Sequence, residues 1–233
     1  MRKTFAMTQF FTALLMFFAA HIVPALPDIR PRLVAAVGAQ RYLIGYSVVS
    51  LSLLVWVGVT AVSAPAVVLW HANPWLYYAP IIAMLVSFML IGAGLAEPNP
   101  LSISLSRREV VFQRPGAAAV MRHPVLWGFG IWSASHIPPN GVLVSTLLFA
   151  IMTLFAIAGG GRIDKKRKRS LGDDAWAALE QQRRSALAAE GLKAFLTART
   201  LWGTAFGLAA YVVFLFLGHR ILFGVDPSVW VLS

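Results

Sequence analysis

The stretch YLIGYSVVSLSLLVWVGVTAV, residues 42–62, contains no charged residue. About 20 apolar residues in a helix are enough to cross the hydrocarbon core of a bilayer. Within that core every backbone amide and carbonyl must find its hydrogen bond inside the protein, which a helix achieves on its own. The stretch is therefore predicted to be a transmembrane helix.

Further apolar stretches lie on both sides of this one. They are near residues 5–24, 76–95, 124–138, 141–160 and 200–223. The chain of 233 residues is 58% hydrophobic and 12% charged, whereas a soluble domain is about one quarter charged. The sequence predicts an all-α, polytopic membrane protein with about six transmembrane helices, forming a single membrane domain over residues 1–233.

Positive charge is concentrated in three segments between these spans, 25–41, 96–123 and 161–199. They hold 17 of the 20 Lys and Arg residues. Because loops rich in Lys and Arg stay in the cytoplasm, the pattern predicts a multi-pass membrane protein whose basic segments are cytoplasmic and whose two termini lie on the opposite side of the membrane. The net charge of +11 then reflects topology and contact with anionic membrane lipid, and nucleic acid is not expected as a partner.

The start of the chain allows a second interpretation. MRKTFAMTQFFTALLMFFAAHIVPA, residues 1–25, has the basic start, apolar middle and small residues of a signal peptide. Cleavage there would invert every later loop and place the basic segments on the wrong side of the membrane. Residues 5–24 are therefore interpreted as the first span.

The segment 161–199 is predicted to be a basic cytoplasmic loop that carries an amphipathic helix before the last span. It opens with the run RIDKKRKR, residues 162–169. Ser170 is a candidate helix cap, and Asp173 and Asp174 would lie in the first turn, where negative charge suits the helix dipole. Apolar residues then recur at helical spacing against Arg and Lys, a pattern typical of a helix on a lipid surface.

Candidate chemistry rests on histidine. The absence of cysteine excludes disulfides, thiolate ligands and iron–sulfur clusters. Five histidines occur, at positions 21, 71, 123, 136 and 219. Thirteen residues separate His123 from His136, so on one helix they would lie about 20 Å and 140° apart and could not hold one small ion together. Each would need partners from other spans.

Two of these histidines have surroundings that suit a flat apolar cofactor. His136 shares a helix face with Trp132 and Phe129, and His21 follows Phe17 and Phe18. Imidazole is a common axial ligand of haem, and apolar walls hold the porphyrin. The alternative from the residues alone is a pair of hydrogen-bonded structural histidines.

Arg122 and His123 directly precede Pro124, a residue suited to the first turn of a helix. An uncapped helix start attracts anions. The pair could therefore recognise a headgroup, a phosphate or an anionic cofactor, or could simply anchor the start of the helix; the sequence leaves both interpretations open.

The stretches AAHIVPALPDIRPRL, residues 19–33, and MRHPVLWGFGIWSASHIPPNG, residues 121–141, resemble the NnrU family. That family comprises bacterial inner-membrane proteins associated with nitrite and nitric oxide metabolism. The resemblance covers most of the chain and implies a role in nitrogen-oxide (denitrification) or respiratory metabolism.

The same stretches are similar to plant zeta-carotene isomerase, an integral membrane enzyme that uses haem b. This similarity rests on a His followed by a short loop, seen here as His21 to Arg30, on an RHP…WG…W…H pattern and on a late histidine, His219. It implies haem b as cofactor, with His21 and His136 as ligands of the haem iron and Trp132, Arg122 and His123 at the cofactor. It also implies isomerase-like chemistry on an apolar small molecule, although Ser133 stands where the isomerase has cysteine.

A more distant resemblance links RHPVLWG, residues 122–128, and LGDDAWAALEQQ, residues 171–182, to the membrane fold of isoprenylcysteine methyltransferases and sterol reductases. That resemblance implies a nucleotide-type cofactor near Arg122 and His123. Trp176 and Leu179 replace the two tyrosines of that pattern. A third interpretation is a non-enzymatic accessory or regulatory protein that docks a respiratory partner. Whether the protein is an enzyme is left open at this point.

Overall fold

The computed structural model describes residues 2–26, 28–105 and 116–232. Within these ranges the chain is helical, and the β-structure amounts to one isolated bridge between Val68 and Val142. The helices are α1 (Arg2–Ile22), α2 (Ile29–Val37), α3 (Ala39–Ser63), α4 (Tyr78–Ala96), α5 (Ala117–Val120), α6 (Pro124–His136), α7 (Leu143–Leu171), α8 (Asp173–Glu190), α9 (Ala198–Val213), α10 (His219–Phe223) and α11 (Val229–Leu232). A π-helical turn, Phe214–Gly218, joins α9 to α10. The all-α class is confirmed.

Five helical segments in the described part of the chain are long and apolar enough to cross a membrane. They are Lys3–Ile22, Ala39–Ser63, Pro74–Ala96, Leu143–Leu171 and Ala198–Phe223. The predicted span at 124–138 is the 13-residue helix α6, which at 1.5 Å per residue covers about 20 Å. Because the hydrocarbon core is about 30 Å thick, α6 is too short to cross it alone.

The basic run is part of a helix rather than a loop. α7 continues through residues 162–169 and ends at Leu171, because Lys and Arg are good helix formers once the chain has left the lipid. Ser170 does not cap α8, since its hydroxyl donates to the carbonyl of Arg167. Gly172 with φ +86° ends α7 and directly precedes α8. Three arginines of the basic segment 96–123, Arg107, Arg108 and Arg114, lie outside the described residues.

The helices form two compact units. The first contains residues 1–69 and 142–145, and in it α1 packs against α3. Phe10 and Ala13 of α1 are fully buried, and Val57 and Thr60 of α3 are almost fully buried. The Thr60 hydroxyl donates to the carbonyl of Trp56 at 2.8 Å, so this polar side chain is satisfied within its own helix.

The second unit contains residues 70–141 and 146–233 and is organised around α4. Small residues on α4 let α6 and α9 approach its backbone. Ser87 of α4 donates to the carbonyl of Gly128 in α6 at 2.8 Å. A Cβ at Gly92 would overlap the carbonyl oxygen of Gly203 in α9. The position of α6 is therefore fixed by direct contact with a predicted transmembrane helix.

Glu97, just after α4, ties that helix to the start of α9. Its buried carboxylate accepts from the backbone amide of Thr200 at 3.0 Å and from the Thr200 hydroxyl at 2.8 Å, and the Thr197 hydroxyl also donates to it. A carboxylate at a helix N-terminus satisfies free amides and complements the helix dipole. Glu97 is thus accounted for as a structural group.

Candidate functional site

The candidate residues of α6 lie at its two ends. His123 directly precedes the helix and His136 is its last residue, about 20 Å away along the axis. Arg122 and His123 therefore belong to one site, and Trp132 and His136 to another.

A polar cluster surrounds the start of α6. It comprises Ser102, Arg122, His123, Asp164, Glu180 and Arg183. Arg122 lies between two carboxylates, 2.5 Å from Asp164 Oδ2 and 2.9 Å from Glu180 Oε1. Its guanidinium also lies 5.7 Å from the ring centre of Trp176, a cation–π contact. Since Asp164 is on α7 and Glu180 on α8, Arg122 connects three helices.

His123 is 9% exposed and lies deep in the polar cluster. Its Nδ1 shares a hydrogen bond of 2.7 Å with the Ser102 hydroxyl, and its Nε2 lies 3.1 Å from Asp164 Oδ1. The latter contact is at ion-pair distance but is not aligned as a hydrogen bond. Gly160 of α7 makes room for the ring, because a Cβ there would lie 3.0 Å from the imidazole.

Glu180 is the anionic centre of the polar cluster. It accepts hydrogen bonds of 2.9 Å from Arg122, Arg183 and Arg184. The hydrogen bonds from Arg183, opposed by burial and reinforced by Arg184, lower the pKa of the Glu180 carboxyl to about 2. Arg183 also donates to the carbonyl of Ala119 at 2.6 Å. Glu180 is therefore ionised at neutral pH and holds α8 against the start of α6.

These contacts reduce the support for the predicted role of Arg122 and His123 in binding an anionic cofactor. The guanidinium of Arg122 already has both carboxylates as partners, so an anionic cofactor would have to displace one of them. The sequence pattern did not point to Asp164, Glu180 or Ser102. The signals were present, because Asp164 is the one acidic residue within the basic run and Glu180 is the one acidic residue in 175–189.

Protonation of His123 is expected to make the stability of the folded protein depend on pH. Burial lowers the pKa of the His123 imidazole below its usual 6.5, although Asp164 opposes this. Below about pH 6.5 the unfolded chain binds this proton more readily than the folded protein, so stability should fall as the pH drops. We expect unfolding midpoints measured in detergent from about pH 7.5 to 5 to fall more steeply for the wild type than for His123→Asn. Parallel curves for the two proteins would contradict this assignment.

At the other end of α6, His136 is surrounded by aromatic rings. Its Nδ1 donates to the carbonyl of Trp132 at 2.8 Å, and its ring centre lies 5.0 Å from that of Phe149 and 6.1 Å from that of Trp132. No described side chain makes a hydrogen bond to its Nε2. His219 is the first residue of α10, and its Nδ1 donates to the carbonyl of Val225 at 2.9 Å.

His21 lies in the first unit, at the end of α1. Its Nδ1 donates to the carbonyl of Phe17 at 2.6 Å, and the Ser50 hydroxyl lies 3.0 Å from its Nε2. The ring centres of Phe17 and Tyr46 are 4.2 and 5.7 Å from that of the imidazole. Tyr46 and Ser50 were not identified from the sequence, although their spacing of four residues places them on one face of α3.

Comparison with known proteins identifies the family. A family model described as NnrU protein matches residues 9–227. No curated protein and no solved structure matches the chain. The family match includes residues 9–22 of α1 with His21, both ends of α6 and the polar cluster. Because it extends over nearly all of the sequence, the chain belongs to the NnrU family.

Proposed function

We propose that this NnrU protein binds haem b through His21 and His136 and acts in redox, sensing or isomerase-type chemistry. The observation that supports the proposal best is that both imidazoles make the same hydrogen bond. In each, Nδ1 donates to the carbonyl of the residue four positions earlier, Phe17 in one case and Trp132 in the other.

That hydrogen bond matters because a carbonyl can only accept. Nδ1 must therefore carry the proton, which leaves the Nε2 lone pair of a neutral imidazole for another partner. Metal-binding histidines are commonly oriented in this way, with the second ring nitrogen donating to a carbonyl or carboxylate. His21 and His136 are therefore suited to bind iron through Nε2.

The chemistry of this donor set fits haem. Two neutral imidazoles could hold the haem iron, and the aromatic side chains beside each ring would supply apolar contact for a porphyrin. Haem, when bound, would supply a redox-active iron; the protein would supply its ligands and the apolar surroundings. At His21, the Ser50 hydroxyl would have to give up its hydrogen bond to Nε2.

Ser133 bears on the choice among haem chemistries. Its hydroxyl donates to the carbonyl of Phe129 at 2.8 Å and accepts from the hydroxyl of Thr153 in α7 at 2.9 Å. The side chain thus fastens α6 to α7. A serine cannot supply the thiol chemistry of the cysteine found at this place in zeta-carotene isomerase, so the proposal does not include a thiol-dependent step.

The proposed setting is the bacterial inner membrane, in nitrogen-oxide or respiratory metabolism. The basic extension of α7 and the exposed Arg30 and Arg32 of α2 support a cytoplasmic location for these segments, with both termini periplasmic. An apolar substrate could then reach the site from the bilayer. A nucleotide cofactor at Arg122 has less support, because the guanidinium is neutralised by two carboxylates.

The absorption spectrum of the purified protein tests the proposal. With haem supplied during expression, we expect a Soret band in the oxidised protein and sharp α and β bands after reduction. His21→Ala and His136→Ala should each lower the haem content of the purified protein severalfold, because each removes one of the two proposed ligands of the haem iron. His71→Ala is the matched control, since His71 is exposed in a loop and should leave haem content unchanged.

Two results would overturn the proposal. One is stoichiometric, folded wild-type protein with no Soret band after expression with haem. The other is normal haem content and unchanged reduced spectra in both His21→Ala and His136→Ala, which would exclude these residues as ligands. Circular dichroism of each variant separates loss of haem from loss of folding.

A further inference from the structure

α7 continues beyond the membrane as a basic helical segment, residues 162–170, and its cations fall into two groups. One face of the segment contacts the rest of the second unit. Asp164 pairs with Arg122, Arg167 donates to the carbonyl of Ser102 at 3.5 Å, and Lys168 lies 3.6 Å from Asp173. These contacts fix how the helix is rotated about its axis.

The other face carries four cations that have no carboxylate within ion-pair distance among the described residues. These are Arg162, Lys165, Lys166 and Arg169, which we call the cationic stripe. Their spacing of three, four and seven residues places them along one side of the helix. Together with Ser170 they border a shallow, open part of the surface. All four side chains are exposed, so their charges are available to a partner.

The position of the stripe along α7 indicates what that partner is. Counting from Leu143, the helix rises about 29 Å before it reaches Arg162, which is close to the thickness of the hydrocarbon core. Arg169 lies about 10 Å further out. The lipid headgroup layer is between about 5 and 8 Å deep on each side. The inner part of the stripe thus lies at the depth of the lipid phosphates.

We propose that the cationic stripe binds anionic phospholipids through their headgroup phosphates. Four adjacent positive charges with no carboxylate partner among the described residues match an anionic surface, and lipid is the anion that surrounds a transmembrane helix at this depth. The contacts of Asp164 and Arg167 keep the stripe on the side of α7 away from the polar cluster. The inference does not depend on haem binding.

The test compares lipid association in bilayers containing the full-length protein. Spin-labelled phosphatidylglycerol and spin-labelled phosphatidylcholine are measured separately in a phosphatidylcholine host. We expect the wild type to prefer the anionic lipid. The quadruple variant Arg162→Gln/Lys165→Gln/Lys166→Gln/Arg169→Gln should reduce that preference by at least about fivefold, the effect of one cation near a lipid surface.

A second quadruple variant provides the matched control. Arg30→Gln/Arg32→Gln/Arg41→Gln/Lys193→Gln removes the same charge from exposed positions outside the stripe and should retain most of the preference. Equal losses in the two variants would overturn the proposal in favour of a general charge effect. An unchanged preference in the first variant would overturn it as well. Displacement by inorganic phosphate beyond that by chloride at equal ionic strength would identify a free-phosphate site instead.

Discussion

Gly92→Ala is expected to destabilise the second unit by about 3 kcal/mol or more. The new Cβ would overlap the carbonyl oxygen of Gly203 and lie 3.1 Å from the Cα of Gly207. These atoms belong to the backbone of α9, which cannot yield as the end of a flexible side chain can. Inserting a methyl group into a packed contact costs between about 1 and 3 kcal/mol, and more where the surroundings are rigid. Here α4 and α9 would have to separate.

Unfolding in detergent with increasing sodium dodecyl sulfate, followed by circular dichroism, measures the effect. Gly58→Ala in α3 is the matched control, because a Cβ at Gly58 meets nothing within 4 Å. Alanine is the better helix former by about 1 kcal/mol, so the control should be as stable as the wild type or slightly more stable. Equal stability of the two variants would show that α4 and α9 do not approach this closely.

Glu180→Gln is expected to cost about 3 kcal/mol of unfolding free energy. Glu180 is 9% exposed, and its carboxylate is surrounded by three arginines. Removing one partner of a buried ion pair costs between about 3 and 5 kcal/mol, because the opposite charges remain without compensation. Glutamine keeps the size of the side chain and can still accept hydrogen bonds, which places the expected cost at the lower end.

The control and the pH dependence separate this effect from a general loss of charge. Asp173→Asn removes a carboxylate that is 81% exposed and should change stability by less than about 1 kcal/mol. The pKa of Glu180 is lowered from 4.5 to about 2, so its contribution is complete above about pH 4.5 and disappears as the pH falls toward 2. A wild-type advantage over Glu180→Gln that persists at about pH 2 would contradict this account.

Much of the fold follows from the sequence because lipid imposes a simple rule. A run of about 20 apolar residues must be helical, and this correctly predicted α1, α3, α4, α7 and α9. The same rule places the end of a helix at the first charged residues, so it did not predict that α7 continues through residues 162–169. Hydropathy reports where a helix meets water, whereas the end of a helix depends on residues such as Gly172.

Less of the candidate site than of the fold could be predicted from the sequence. The pattern around α6 identified Arg122, His123, Trp132 and His136, which the structure places at the two ends of one helix. It did not identify the partners Asp164 and Glu180, which lie 42 and 58 residues from Arg122. Such pairs arise from helix packing and leave no local periodicity. A lone acidic residue among basic or apolar neighbours is the one signal that could have suggested them.

The three consecutive glycines of α7, residues 159–161, give this helix unusual mechanical properties. Glycine restricts the backbone less than any other residue, so α7 is expected to bend most easily at these three positions. Phe149, beside His136, lies before the glycines, and Asp164 lies after them. The salt bridge between Asp164 and Arg122 therefore restrains bending of α7 at the glycines. Breaking this salt bridge would let the part of α7 that follows the glycines move relative to the part that lies in the lipid.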